Sequence, residues 1–298
     1  MGHIISEGAE ELLDRALAVP SHGFVRLVDY MGSDQSIVQA ARVSYGAGTK
    51  SVREDRGLIR YLMRHDHTTP FEMVVLKFHI KAPIFVVRQW IRHRTASVNE
   101  ESGRYSIMKE EFHEPAWGDV GYQSKDNKQG RSTDEVPAEV VQRFLDYLKT
   151  DRDTAYEHYE QFLEDNVARE LARIVLPLSL YSEFYWQMNL HNLLHFLRLR
   201  MDPHAQKEIR DYANQVAMCA QAVAPIAWEA FEEYKLHGKS FSRTELSILQ
   251  RLLAGEPLPA DAFEGSKSLL REFEAKLGMS LSTGEVQVPN HTNGLSKV

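Results

Sequence analysis

The 298-residue chain has one cysteine, Cys219, so no disulfide can form within it, and this usage fits a reducing compartment. Cys219 lies in a helix-like apolar run and reads as a small buried hydrophobe. No run of about 18 apolar residues occurs, which argues against a helical membrane span. The first residues lack the basic and apolar regions of a signal peptide, so the expected address is the cytoplasm. Positive charge is not in excess: 35 Lys and Arg face 42 Asp and Glu, a formal net charge of −7. Wholesale binding to a nucleic-acid backbone needs a basic field, so nucleic acid is not an expected partner. A compact anion needs only a few arginines in one pocket. No GxGxxG occurs, so a dinucleotide would not be held in the Rossmann manner. Residues 46–51 lack the spacing of a phosphate loop and read as a plain loop.

What is present is a set of periodic segments. Residues 9–18 read as helix and 25–30 as a strand ended by Gly32, with Ser33 placed to cap a helix over 36–44. A helix is expected over 54–65, with Leu58, Tyr61 and Leu62 inward and Arg60 and Arg64 outside. Pro70 fits the first turn of a short helix, residues 74–80 alternate as a strand does, and Pro83 can start a helix over 84–93. Residues 114–137 are polar and rich in Gly, Asp and Ser, the composition of a surface loop or flap. Helices are expected over 137–166, 168–176, 183–200 and 204–234, and the polar tail from about 279 should fray. The fold class is α+β: a small mixed or antiparallel sheet in the N-terminal part, packed with a largely helical remainder.

Residues 88–106 hold most of the chemistry. Arg88, Arg92, Arg94 and Arg104 fall close together in an acidic chain. On a helix Arg88 and Arg92 would repel as i,i+4 neighbours, so an anion should offset them: Glu100, Glu101 or a phosphate. Gly103 allows a close backbone approach to a ligand and Ser102 can donate to an anion. A solvated basic helix end followed by a turn fits the same residues. In 183–200, Leu190, Leu193, Leu194 and Leu197 form an apolar stripe with Asn189 and Arg200 on one border and His191 on the other, His195 lying just beyond. That pattern suits a helix between two ligands, or one with ordinary solvated edges. His191 and His195 have metal-sharing spacing without an HExxH glutamate, and His65 with His67 is a weak half-site, so no metal is expected.

The run Arg92-His93-Arg94-x-x-Ser97-x-Asn99-Glu100-x-Ser102-x-Arg104-Tyr105 resembles the full signature of the flavin-dependent thymidylate synthases, nine fixed positions at fixed spacing. Residues 61–72, 78–90, 173–178 and 197–206 are also family-like. The resemblance runs from about residue 24 to 236. It implies a domain over 1–236 with a loop insertion at 114–137, and a partly flexible C-terminal extension over 237–298.

It further implies an enzyme that methylates dUMP to dTMP, with 5,10-methylenetetrahydrofolate as carbon donor and FAD, reduced by NADPH, as hydride carrier. By the same resemblance dUMP would meet Gln89, Trp90, Ile91, Arg92, Glu100, Glu101, Ser102, Gly103, Arg104, Arg173 and Arg200, with Arg200 catalytic and facing the uracil. FAD would meet His67, Thr69, Arg92, His93, Arg94, Glu100, Asn189, Leu190, His191 and His195. His191 stands where other members can carry arginine. A homotetramer with shared active sites is implied too, and no cysteine nucleophile. Two alternatives are a folate- and FAD-dependent methyltransferase acting on uracil in RNA, and a non-catalytic nucleotide-binding module.

Overall fold

The computed structural model describes residues 4–43, 52–125, 129–259 and 262–281. Five strands, β1 Ala16–Val19, β2 Gly23–Met31, β3 Val75–Pro83, β4 Ser97–Glu100 and β5 Tyr181–Asn189, form one sheet in the order β1-β2-β3-β5-β4. Every pairing is antiparallel. Period-two alternation puts Leu76, Phe78 and Ile80 of β3 beside Met188, Trp186 and Phe184 of β5, and all six are buried. The other face is polar. There Glu183 meets His79 at 3.0 Å and Lys109 at 3.2 Å, while Lys81 meets Glu111 at 2.6 Å.

Helices cover the apolar face. The short α4, Ile84–Trp90, follows β3 directly, and α7, Leu190–Arg200, follows β5 directly. Pro83 precedes α4 with extended backbone, and Asn189 caps α7 by accepting from the Asn192 amide at 3.0 Å. Trp90 lies against Phe184, Trp186, Phe196 and Tyr212, with ring centroids 5.0–5.9 Å apart. The helix α8, Lys207–Val223, contributes Ile209, Tyr212, Val216 and Val223 to the same core. The long α5, Ala138–Glu164, uses Tyr156 and Tyr159 to clasp Met108: one hydroxyl donates to its carbonyl and the other accepts from its amide. Among the described residues no helix is long and apolar enough to cross a membrane.

Contacts divide the chain into two compact units, Met1–Leu236 and His237–Val298. In the second, α10 Arg243–Leu253 opens with a capping box from Ser242 and Glu245, α11 spans Lys267–Leu277, and Ile248, Leu258, Phe263 and Phe273 form a core.

The antiparallel sheet with a largely helical remainder matches the expected class, but several segments differ from the sequence reading. Residues 9–18 are not one helix: α1 covers Glu7–Glu10 and β1 pairs with β2. Residues 183–189 are strand, because Phe184, Trp186 and Met188 alternate into the core, and the leucine stripe beyond them had extended the helical reading too far. The sheet is therefore not confined to the first 110 residues. Of α3, Val52–Arg64, the inward residues are Ile59, Leu62 and Met63, while Tyr61 is exposed. The helix over 84–93 stops at Trp90, and the helix over 204–234 breaks at Ala224, before Pro225 opens α9, Pro225–Phe231. Short β4 was not anticipated. Residues 46–51, Ser44 and the tail beyond 281 lie outside the described residues.

One glycine is set by close approach. A Cβ on Gly23 would fall 2.1 Å from the Tyr212 hydroxyl, which donates to the Lys81 carbonyl at 2.8 Å. Gly23→Ala should lower stability by roughly 1–3 kcal/mol in urea unfolding, and adding Tyr212→Phe should return part of that loss. A neutral Gly23→Ala would refute the steric account.

Candidate active site

The ends of α4 and α7 meet. Arg200, the last residue of α7, donates from Nε to His93 Nε2 at 3.0 Å and from Nη2 to the Gln89 carbonyl at 3.3 Å. That carbonyl belongs to the final turn of α4, where carbonyls lack helical partners and the helix dipole favours a cation. His93 is half-buried, with Phe196 edge-on at 4.9 Å. Burial first, then Arg200 and His195, push its pKa down to about 4. A neutral imidazole can accept from Arg200; an imidazolium cannot. Gln89 is held in turn by an amide–amide bond to Gln206, just before α8. Gln206 lay inside a family-like stretch but was not singled out, since neither charge nor periodicity marks it.

Arg88, Arg92, Arg94 and Arg200 make no ion pair among the described residues. Helix α4 ends before Arg92, so Arg88 and Arg92 do not share a helical face. Glu100 does not offset them: it accepts from Ser182 at 2.7 Å. Glu101 donates its amide to the Glu183 carbonyl. The Trp90 and Leu190 side chains are core, and Ile91 is half-buried against it.

Ser102, Gly103, Arg104 and Arg173 form a second group. Ser102 opens a tight turn in which its carbonyl accepts from Tyr105 and Ser106. Gly103 is buried, and a Cβ there would lie 3.1 Å from Arg173 Cδ. Arg104 pairs with Glu170 at 3.3 Å in the open.

His67, His191 and His195 do come together, around a cavity of about 170 Å³ floored by Leu62, Phe71 and Leu194 and edged by Arg198. A larger groove of about 630 Å³ on the other side of His67 is shared with Thr69 and Tyr61. Burial, then Arg198 and His191, lower the pKa of His195. Apolar floors with polar rims suit a planar ring, and the unpaired Arg92 and Arg94 beside His93 suit a diphosphate, so these residues fit a flavin dinucleotide. Among the described residues no group of three or more His, Cys, Asp or Glu has the arrangement of a metal site.

Comparison with known proteins bears on this constellation. The thymidylate synthase complementing protein family matches residues 26–226. A flavin-dependent thymidylate synthase of Treponema denticola is 56% identical over 244 residues, covering 82% of this chain and 92% of that protein. One from Rickettsia bellii is 50% identical over 283 residues, covering 91% and 95%. This chain belongs to the flavin-dependent thymidylate synthase family. Among solved structures, PolB, a UMP/dUMP methylase of Streptomyces cacaoi bound with 5-Br dUMP, aligns with a TM-score of 0.66 and 35% identity, covering 73% of this chain and 98% of that one. The family match spans the 114–137 loop. That loop is anchored: Asp119 meets Lys207 at 3.5 Å, and Arg131 pairs with Glu208.

A His whose folded pKa lies below its unfolded value loses native stability as pH falls from about 6.5 toward 4, because the unfolded chain takes up the proton first. The His93 ring resonance should therefore titrate near pH 4 by NMR, and Arg200→Met should move that midpoint upward. A His93 midpoint between pH 6 and 7 in the unsubstituted protein would sink this reading.

Proposed function

We propose that this member of the family is a thymidylate synthase methylating dUMP to dTMP, with 5,10-methylenetetrahydrofolate as carbon donor and FAD, reduced by NADPH, as hydride carrier. The observation that carries this reading is Arg200. It is half-buried, aimed by a neutral imidazole and a helix-end carbonyl, and paired with no carboxylate among the described residues. A guanidinium so held stabilises negative charge on a ligand rather than on the protein. Facing a uracil ring, it would favour loss of the N3 proton and raise the nucleophilicity of C5. FAD, when bound and reduced, supplies the hydride that completes the methyl group.

The remaining roles are those that the family resemblance implies. Gln89, fixed by Gln206, and Arg92 would bind the nucleotide beside Arg200, with the backbone of Trp90 and Ile91 close by. Ser102, Gly103, Arg104 and Arg173 would take its phosphate, with Glu100 at the end of β4 and Glu101 just after it. Arg92, His93 and Arg94 would face the flavin diphosphate, while His67, Thr69, His191 and His195 line the ring side. Asn189 and Leu190 set the start of α7 beneath them.

A homotetramer with shared active sites accompanies this reading. In such an assembly Ser102, Gly103, Arg104 and Arg173 would serve the site of a neighbouring copy. Leu171, Ile174 and Leu178, each more than half exposed around Arg173, supply an apolar face for such a contact. The single cysteine supports a cytoplasmic address.

Tritium release from [5-³H]dUMP with FAD, NADPH and methylenetetrahydrofolate tests the proposal. Release should require the folate and fall by about 10²–10³-fold in Arg200→Ala. UMP serves as the comparison substrate, because PolB is described as a methylase of both nucleotides. Absence of release from flavin-loaded protein would reject free dUMP as the substrate.

A further inference from the structure

A second cavity lies under the 114–137 loop and is lined by none of the flavin-side residues. It measures about 490 Å³, within the size range of small-molecule sites. Its walls are apolar, with Phe85 after β3, Val140, Phe144 and Leu148 on α5, and Val120 and Val136 on the loop. Its polar lining is His113, Ser179, Gln206 and Glu208, with Asp119, Tyr122 and Arg131 from the loop.

Three polar atoms there are buried and unmet: Glu208 Oε2, His113 Nε2 and Ser179 Oγ have no hydrogen-bond partner among the described residues, and the Glu208 side chain is only 8% exposed. Leaving such atoms unmet costs about 1–3 kcal/mol each, so a cluster of three in one cavity is unusual. The backbone explains their convergence. The His113 amide donates to the Ser179 carbonyl at 2.8 Å, and Phe112 bridges to Leu180, so strand-like pairing sets the two side chains at one end. Glu208 is brought there by the first turn of α8. The Phe85 ring stands edge-on to His113 at 5.4 Å.

Charge selects the occupant. Burial opposes ionisation of Glu208, but Arg131 outweighs it and holds the carboxyl below the usual range, so Oε2 can only accept. Burial keeps His113 neutral at pH 7. Arg131 pairs with Glu208, and Lys207, outside the lining, meets Asp119 at 3.5 Å, so neither carboxylate is left alone to attract a cation. Ser179 Oγ can donate, as can His113 Nε2 in the tautomer that carries its proton. An N–H beside a carbonyl meets one obligate acceptor and two donors, and the apolar walls suit a ring behind it.

We propose that this cavity is a binding site for a neutral aromatic carboxamide, whose N–H donates to Glu208 and whose carbonyl accepts from Ser179 and His113, with its ring against Phe85 and the α5 face. The site is separate from the Arg200 centre but adjoins it. Gln206 lines the cavity while its amide holds Gln89. An occupant would thus bear on the residue whose carbonyl orients Arg200.

The test is saturation-transfer NMR on the full chain with benzamide and with benzonitrile, which keeps the ring and an acceptor but has no N–H. Benzamide should bind at least about tenfold more tightly, the scale of one hydrogen bond made in a buried site. Ser179→Ala should weaken it several-fold. Val140→Trp, at the apolar end and away from every ion pair, should fill the cavity and abolish the signal without lowering the melting temperature. Equal binding of both probes, binding that survives Val140→Trp, or a benzamide-soaked crystal showing only ordered water at Glu208 would each overturn the proposal.

Discussion

The structure depends on the pairing of β3 with β5, nine residues each and about a hundred positions apart in sequence. The strands run antiparallel, so the helices that follow them begin at opposite ends of one ribbon. Nine strand residues reach about 30 Å, while the seven residues of α4 and eleven of α7 reach about 10 and 16 Å. Folded back over the same apolar face, the two helices nearly span it, and their C-termini meet. Trp90 and Phe196, each lying against Trp186, lock that arrangement.

The chemistry of the site grows from this meeting. Two helix C-termini converge where carbonyls are unpaired and the dipoles are negative, so an arginine there needs no carboxylate. Arg200 uses the Gln89 carbonyl and a histidine kept neutral by the same burial. A carboxylate in that place would have quenched the guanidinium. A carbonyl and an imidazole orient it and leave its charge directed at a ligand. Gln206 extends the arrangement to α8 and, through the neighbouring Glu208, to the loop that roofs the second cavity.

The polar face of the sheet does different work. Lys81, Lys109, Glu111, Glu183 and His79 neutralise one another across β3, β5 and the segment leading toward α5. Glu100 accepts from Ser182 rather than bonding an arginine. Acidic charge is therefore spent away from Arg92 and Arg94, which explains how an acidic chain keeps a basic site.

Much of this was legible from local order alone. The arginine-rich run, its serine and glycine, and the leucine stripe ahead of Arg200 are contiguous features, and their chemical types and spacing survive any folding. The α+β class followed from periodicities that each segment carries by itself. What sequence could not supply was any relation between segments. The strand over 181–189 was hidden because a nine-residue alternation running into a strong helical stripe reads as more helix, and only pairing with β3 decides otherwise. Tyr61 and Ile59 exchanged roles because a helix's inward direction is set by what it packs against. The bond from Arg200 to His93 and the amide pair of Gln89 with Gln206 each join residues more than a hundred positions apart. Composition and spacing determined which groups this protein has for binding an anion; only the tertiary contact of two helix ends decided which arginine is desolvated, aimed and uncompensated, because burial and orientation are properties of the packed chain.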